Sequence, residues 1–285
     1  MLTLDKAVGM FIGLAVGDAL GAPLEFLDSR EPSDYITKYM KGGHHNMSKG
    51  EWTDDTAMAY AMAHAFIDNW GEFNPHAIMN NFKAWYERGD FIPRGECFDI
   101  GGTTQRAIQA YTPKSVDVFP YKGMSVNDSS GNGGLMRLAP AILVADSPAR
   151  AIEMAIAQTL LTHGTPECIE YSRVLAEELW HGEPLRKYDS YRHPQDIDRN
   201  DVMSGGYVVE TYQCAMWAFQ STDTFEDCII AAVNRGHDSD TCGAVAGMIA
   251  GAYYGWSKIP KQYKDGLMWH DKLVDAATTL HKLRR

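Results

Sequence analysis

An all-α fold is predicted for this chain of 285 residues by three features of its sequence. Apolar residues recur at helical spacing over roughly 5–20, 55–69, 75–88, 100–110, 148–162, 167–181, 206–220, 225–234, 241–255 and 265–282. Convincing period-two strand patterns are missing. Glycine recurs at every fourth position at Gly9, Gly13, Gly17 and Gly21, and again at Gly243, Gly247, Gly251 and Gly255. A glycine inside a helix costs about 1 kcal/mol relative to alanine, so each ridge needs a compensating gain, which close approach of two helix backbones supplies.

Taken along the chain, the first helix carries the first ridge and ends or bends at Pro23. Lys6, the run Val8 to Val16 and Ala19-Leu20-Gly21-Ala22 loosely imitate a signal peptide, but the ridge reads them as a core helix. The second helix follows Thr53-Asp54-Asp55, where Thr53 is a good N-cap and acidic residues suit a first turn. Asp99 precedes Gly101-Gly102-Thr103-Thr104 and reads as the cap of the helix over 100–110. Ser129-Ser130-Gly131-Asn132-Gly133-Gly134 is a turn running into Leu135-Met136, and His163 stands at the end of the helix over 148–162. Tyr207 follows Gly205-Gly206 at the start of the helix over 206–220, and Asp238-Ser239-Asp240-Thr241 introduces the second ridge. The stretches 41–51, 113–134 and 185–205, rich in Gly, Pro, Ser, Asn and Asp, read as loops over one domain covering 1–285.

With 45% hydrophobic and 22% charged residues, the chain can bury one sizeable core. A net charge of −11 and a pI near 5.3 argue against nucleic acid as a partner. Asp18 interrupts the first glycine run, which weakens a membrane reading, so no membrane partner is expected. Cysteines at 97, 168, 214, 228 and 242 form no CxxC pair, which fits a reducing, cytoplasmic setting, and a monomer is expected.

The two acidic clusters are the strongest functional signal. Each alone reads as helix capping, whereas together their carboxylates and hydroxyls form an oxygen donor set for hard cations, provided the two helix starts meet. Without a cation, four carboxylates in one place repel strongly.

Four ordered motifs then carry a resemblance: Gly17-Asp18-Ala19-Leu20-Gly21-Ala22-Pro23-Leu24-Glu25-Phe26, Trp52-Thr53-Asp54-Asp55-Thr56, Gly131-Asn132-Gly133-Gly134-Leu135-Met136-Arg137, and Asn234-Arg235-Gly236-His237-Asp238-Ser239-Asp240-Thr241. The chain resembles the ADP-ribosylglycohydrolase family over nearly its full length. Arg94-Gly95-Glu96-Cys97-Phe98-Asp99-Ile100-Gly101 with Asn234-Arg235-Gly236 is most similar to its dinitrogenase reductase-activating branch, whose members release ADP-ribose from arginine.

The resemblance implies a compact single-domain orthogonal helical bundle and two Mg²⁺ or Mn²⁺ ions held by Thr53, Asp54, Asp55, Asp238, Asp240 and Thr241. Its implied substrate is an ADP-ribosylated protein and its product ADP-ribose. Glu25, which its apolar neighbours Leu24, Phe26 and Leu27 suggest is partly buried, becomes a catalytic acid/base or a metal-associated carboxylate. Asp99 becomes the catalytic partner of the substrate guanidinium. Ser129, Gly131, Asn132, Gly133, Gly134 and His163 are candidates for the diphosphate, and Tyr207 for the adenine. Alternatives are cleavage of a serine or O-acetyl linkage, a relative that kept the fold but lost the chemistry, and an HD-type phosphohydrolase built on His44-His45 and His237-Asp238.

Overall fold

In the computed structural model, which describes residues 2–112, 129–182 and 197–284, the chain is helical throughout its core. Among the described residues there are 13 α-helices and no strand, only isolated bridges between Gly42 and Met47 and between Gly131 and Tyr207. The helices are α1 (Leu4–Gly21), α2 (Asp54–Asp68), α3 (Pro75–Arg88), α4 (Gly102–Ala110), α5 (Gly133–Met136), α6 (Ala139–Val144) and α7 (Pro148–Thr159). They continue as α8 (Pro166–His181), α9 (Val208–Gln220), α10 (Phe225–Val233), α11 (Ser239–Tyr254), α12 (Lys261–Gly266) and α13 (His270–Leu283).

Helices α1 and α11 form the central antiparallel pair, and the glycine ridges are their seam. A Cβ built on Gly9 would meet the Gly251 carbonyl, one on Gly13 that of Gly247, one on Gly17 that of Gly243 and one on Gly21 that of Ser239. Backbone lies against backbone, so no side chain fits between. Gly255 ends α11 with a φ of 87° and closes the seam differently, its missing side chain leaving room for the Asp5 carboxylate of α1. Substituting alanine for glycine ordinarily stabilises a helix by about 1 kcal/mol. Here the sign reverses: Gly13→Ala and Gly247→Ala are expected to destabilise by about 3 kcal/mol or more, read as a lowered denaturation midpoint, because a methyl cannot share space with a carbonyl. Unchanged midpoints in both variants would show that the helices do not touch there.

This seam also accounts for the N-terminal apolar run. Leu4–Leu24 is apolar enough to cross a membrane, yet every residue of its most apolar window is buried inside the fold. α2, α6, α10 and α13 pack around α1, and α9 and α10 around α11. Five helices begin where short polar side chains cap them: Thr3, Asn74, Ser147, Thr165 and Thr224 each accept a hydrogen bond from a backbone N–H of the first turn. α3 and α8 end at Gly89 and Gly182 in the left-handed region.

Three elements differ from the sequence reading. α5 and α6 were hidden because they are short and entirely buried, so no polar face marks a helical period. The window 265–282 is α12 followed by α13, broken at Trp269, whose φ of 56° no helix accommodates. Most of the loops expected over 113–134 and 185–205 lies outside the described residues.

Candidate active site

The α1/α11 seam brings the starts of α2 and α11 together beside the C-terminal half of α1. Thr53 occupies the N-cap position of α2, but its side chain does not cap the helix. Asp18 does so from α1. Its carboxylate accepts from Thr53 N at 2.9 Å, Thr56 N at 3.0 Å and Thr56 Oγ1 at 2.6 Å. The Thr53 hydroxyl stands among three carboxylates, with Asp18 Oδ1 at 3.1 Å, Asp55 Oδ2 at 3.2 Å and Asp240 Oδ2 at 3.3 Å. Thr241 Oγ1 donates to Asp55 Oδ2 at 3.3 Å, so the two sequence clusters meet. Asp238, likewise at an N-cap position without capping, accepts from Asn132 Nδ2 at 2.8 Å. Simple capping accounts for neither cluster.

A second group closes over this floor from three loops. Glu25 is buried just after α1, and of the apolar neighbours in sequence only Leu24 is buried with it, Phe26 and Leu27 being exposed. Asp99 sits in the left-handed region at φ 60°, and Gly101, not Asp99, holds the cap position of α4. His45 Nε2 lies 2.9 Å from Asp99 Oδ1 and 3.3 Å from Glu25 Oε2, close but not aligned for a hydrogen bond. Arg94 fastens the loops together. Its guanidinium pairs with Glu51 at 2.8 and 2.9 Å, donates to the His45 carbonyl at 3.0 Å and stacks on Phe98 at 4.0 Å.

The electrostatics follow from crowding. Burial first, then repulsion from Asp99 and Asp238, raises the Glu25 carboxyl to about 9. Burial raises Asp99 to about 7 and Asp18 to about 6, and pushes Asp54, Asp55 and Asp240 well above the ordinary carboxylate range. Groups raised in this way hold their protons in the folded state at pH values where the unfolded chain has lost them. Their stabilisation is complete below the unfolded carboxylate values of about 4 and is lost as pH climbs through the folded ones. Metal-free protein is therefore expected to melt at a lower temperature at pH 8 than at pH 5. A melting temperature that rises over that interval would contradict this electrostatic picture.

Above the carboxylates opens a cleft of about 340 Å³, lined by Glu25, Asp54, Asp99, Asp238, Asp240 and Thr241 at one end and by Ser129, Gly131, Asn132, Gly133 and His163 at the other. Thr53 and Asp55 lie beneath this lining as its floor, and Gly134 is packed against Thr159. His163 is buried past the end of α7 with its ring against the glycine loop, and a methyl at Gly133 would stand 2.6 Å from its Cε1. Tyr207 departs from expectation. It is exposed, its hydroxyl donates to Glu167 Oε1 at 2.7 Å, and its neighbour Gly206 lines the cleft instead.

Asp18 and His45 were not singled out as site residues from sequence. Asp18 had a usable signal, an acid inside an otherwise apolar helix. His45 had none, because it stands in a Gly/Lys/Asn loop whose approach to Asp99 depends on Arg94.

An open cleft with acid/base groups at one end and a glycine-lined surface at the other suits a small polar ligand and hydrolytic chemistry. Residues 1–285 match the ADP-ribosylglycohydrolase model, and the chain belongs to that family of hydrolases of ADP-ribose linkages. It is 34% identical to ADP-ribosylarginine hydrolase Tri1 of Serratia proteamaculans (strain 568), covering 98% of this chain and 79% of that protein. It is 32% identical to ADP-ribosyl-[dinitrogen reductase] glycohydrolase of Rhodospirillum rubrum, covering 90% and 88%. A solved structure of an ADP-ribosylglycohydrolase-related protein complex shares 31% identity and a TM-score of 0.82 over 99% of both chains. The HD-type alternative falls with this match, and His237 is exposed, its backbone paired with Phe26 and Leu27.

Proposed function

We propose that this enzyme hydrolyses the N-glycosidic bond between ADP-ribose and arginine on modified proteins, using two Mg²⁺ or Mn²⁺ ions held by Thr53, Asp54, Asp55, Asp238, Asp240 and Thr241. The observation that carries the metal reading is a pair of buried carboxylate oxygens with no hydrogen-bond donor, Asp55 Oδ1 and Asp240 Oδ1, one from each acidic cluster. Buried acceptors without donors are rare in proteins, and an oxygen-only set of this density fits hard cations. Among the described residues the tightest convergence of ligand atoms, within 4.8 Å, is Glu25, His45 and Asp99. We keep these three for acid/base work, because His45 already stands at ion-pair distance from both acids. Cations held there would neutralise the carboxylates and supply Lewis acidity toward the ribose hydroxyls and water.

The chain's own residues supply the rest. Asp18 and the hydroxyls of Thr53, Thr56 and Thr241 fix the carboxylate floor. Water forms the new bond to the anomeric carbon as the carbon–nitrogen bond breaks, its electron pair leaving with the guanidine. Glu25 is the carboxyl placed to take the water's proton and pass it to the departing guanidine. Asp99 faces the guanidinium, a planar donor fork that a carboxylate matches. The glycine loop and His163 receive the diphosphate.

The arginine linkage is favoured by the Serratia proteamaculans relative, whose name states it, and by the acidic mouth at Asp99. A relative that lost its chemistry is disfavoured, since every proposed ligand remains an oxygen donor. The cysteines stand free, in keeping with a reducing, cytoplasmic setting. The experiment is release of free ADP-ribose from arginine-modified protein, which a chelator should stop and added Mg²⁺ or Mn²⁺ restore.

A further inference from the structure

Arg137, at the C-terminal end of α5, is wholly buried and lies behind the glycine-lined end of the cleft. Its Nε donates to Gln158 Oε1 at 2.9 Å, and one terminal nitrogen donates to the Gln158 carbonyl at 3.1 Å and to Thr162 Oγ1 at 2.7 Å. The guanidinium also stacks on Phe82 at 4.8 Å. From Gln158 the network reaches the glycine loop, because Gln158 Nε2 donates to the Gly134 carbonyl at 2.6 Å. From Thr162 it reaches the imidazole, because Thr162 Oγ1 lies 2.8 Å from His163 Nδ1.

The direction of that last bond can be worked out. Arginine only donates, so it occupies a lone pair of the Thr162 oxygen and leaves the hydroxyl proton to be placed elsewhere. His163 Nδ1 is the acceptor in reach, and a buried hydroxyl proton without an acceptor is unfavourable. Nδ1 therefore carries a lone pair, and the ring hydrogen sits on Nε2, the atom on the edge facing Gly131 and Gly133. The relay runs from guanidinium to hydroxyl to imidazole to cleft.

We propose that Arg137 and Thr162 are positioning residues that lock His163 in its Nε2–H form, so that a neutral imidazole offers a donor to the diphosphate of ADP-ribose. The proposal rests on the reading above that this end of the cleft takes the diphosphate. Burial, with Arg137 and Arg106 nearby, lowers His163 to about 3, so the ring is neutral at working pH and its tautomer decides whether it attracts or repels a phosphate oxygen. Burial lowers Arg137 only to about 9, so it stays charged and able to donate. The same cation, through Gln158, holds Gly134, which couples both walls of this end to one residue.

The test is nitrogen NMR of the histidine rings together with calorimetric titration of ADP-ribose, in one Mg²⁺-containing buffer. Wild-type His163 should show a pyridine-type Nδ1 and a pyrrole-type Nε2 before any ligand is added. Thr162→Val should mix the two forms and weaken ADP-ribose binding by about 10-fold, the scale of one charge-assisted hydrogen bond, with adenosine binding unmoved. Thr162→Ser should restore both the tautomer and the affinity. A pyrrole-type Nδ1 in the wild type would overturn the relay, and so would unchanged ADP-ribose affinity in a folded Thr162→Val. The wild-type spectrum decides even if the valine variant does not fold. Failure of the wild type to bind ADP-ribose, with the tautomer as stated, would instead defeat the functional reading.

Discussion

Asp55→Ala and Asp240→Ala are each expected to lower turnover by at least ~100-fold, the scale of several kcal/mol that metal assistance contributes. The two residues come from different helices and meet through Thr53 and Thr241, so either substitution opens the same floor. Folding should survive, because each variant removes a buried carboxylate that burial and its neighbours hold far above its ordinary pKa. The metal-free variants should therefore melt no lower than metal-free wild type and keep its α-helical far-UV spectrum. Wild type should gain melting temperature on adding Mg²⁺ or Mn²⁺, since a ligand that binds only the folded state stabilises it, while the variants should gain much less. Full activity in either variant, or equal metal-induced shifts, would remove these carboxylates from the metal set.

Asp99→Asn should have an effect of similar size with a different signature. The amide keeps the shape and removes the charge, so hydrolysis of ADP-ribosylarginine should fall by at least ~100-fold while metal and free ADP-ribose still bind. The loop holding Asp99 is clamped by Arg94 between Glu51 and Phe98, so a near-isosteric change should leave it in place. Unchanged kcat on the arginine linkage would move the guanidinium contact elsewhere.

The fold was legible because its main constraint is written in the spacing of residues. The Gly9 to Gly21 and Gly243 to Gly251 ridges mark the seam directly, since only an absent side chain permits carbonyl contact along the whole pair. Among helices with one polar face α3 was found residue for residue and α7 ended three residues early, while the wholly buried α5 and α6 carry no period to detect. The carboxylate floor was legible for the same reason as the seam: Asp54, Asp55 and Asp240 occupy first turns whose helices the seam brings together. What the sequence did not show were partners set by tertiary contact. Asp18 reads as a flaw in an apolar helix until it is seen capping α2, and His45 gains its place only through the Arg94 clamp. Tyr207, read as an adenine contact, stands exposed with its hydroxyl on Glu167, a partner its own segment does not announce.

The most direct measurement of the central claim is release of free ADP-ribose from arginine-, serine- and cysteine-linked substrates, assayed side by side with wild-type enzyme, with and without exhaustive chelation. The account predicts release from the arginine linkage alone, abolished by the chelator and restored by Mg²⁺ or Mn²⁺, because Asp99 has a cationic partner only in arginine. Efficient release from the serine linkage with the arginine linkage untouched, or full turnover after metal is removed, would contradict it.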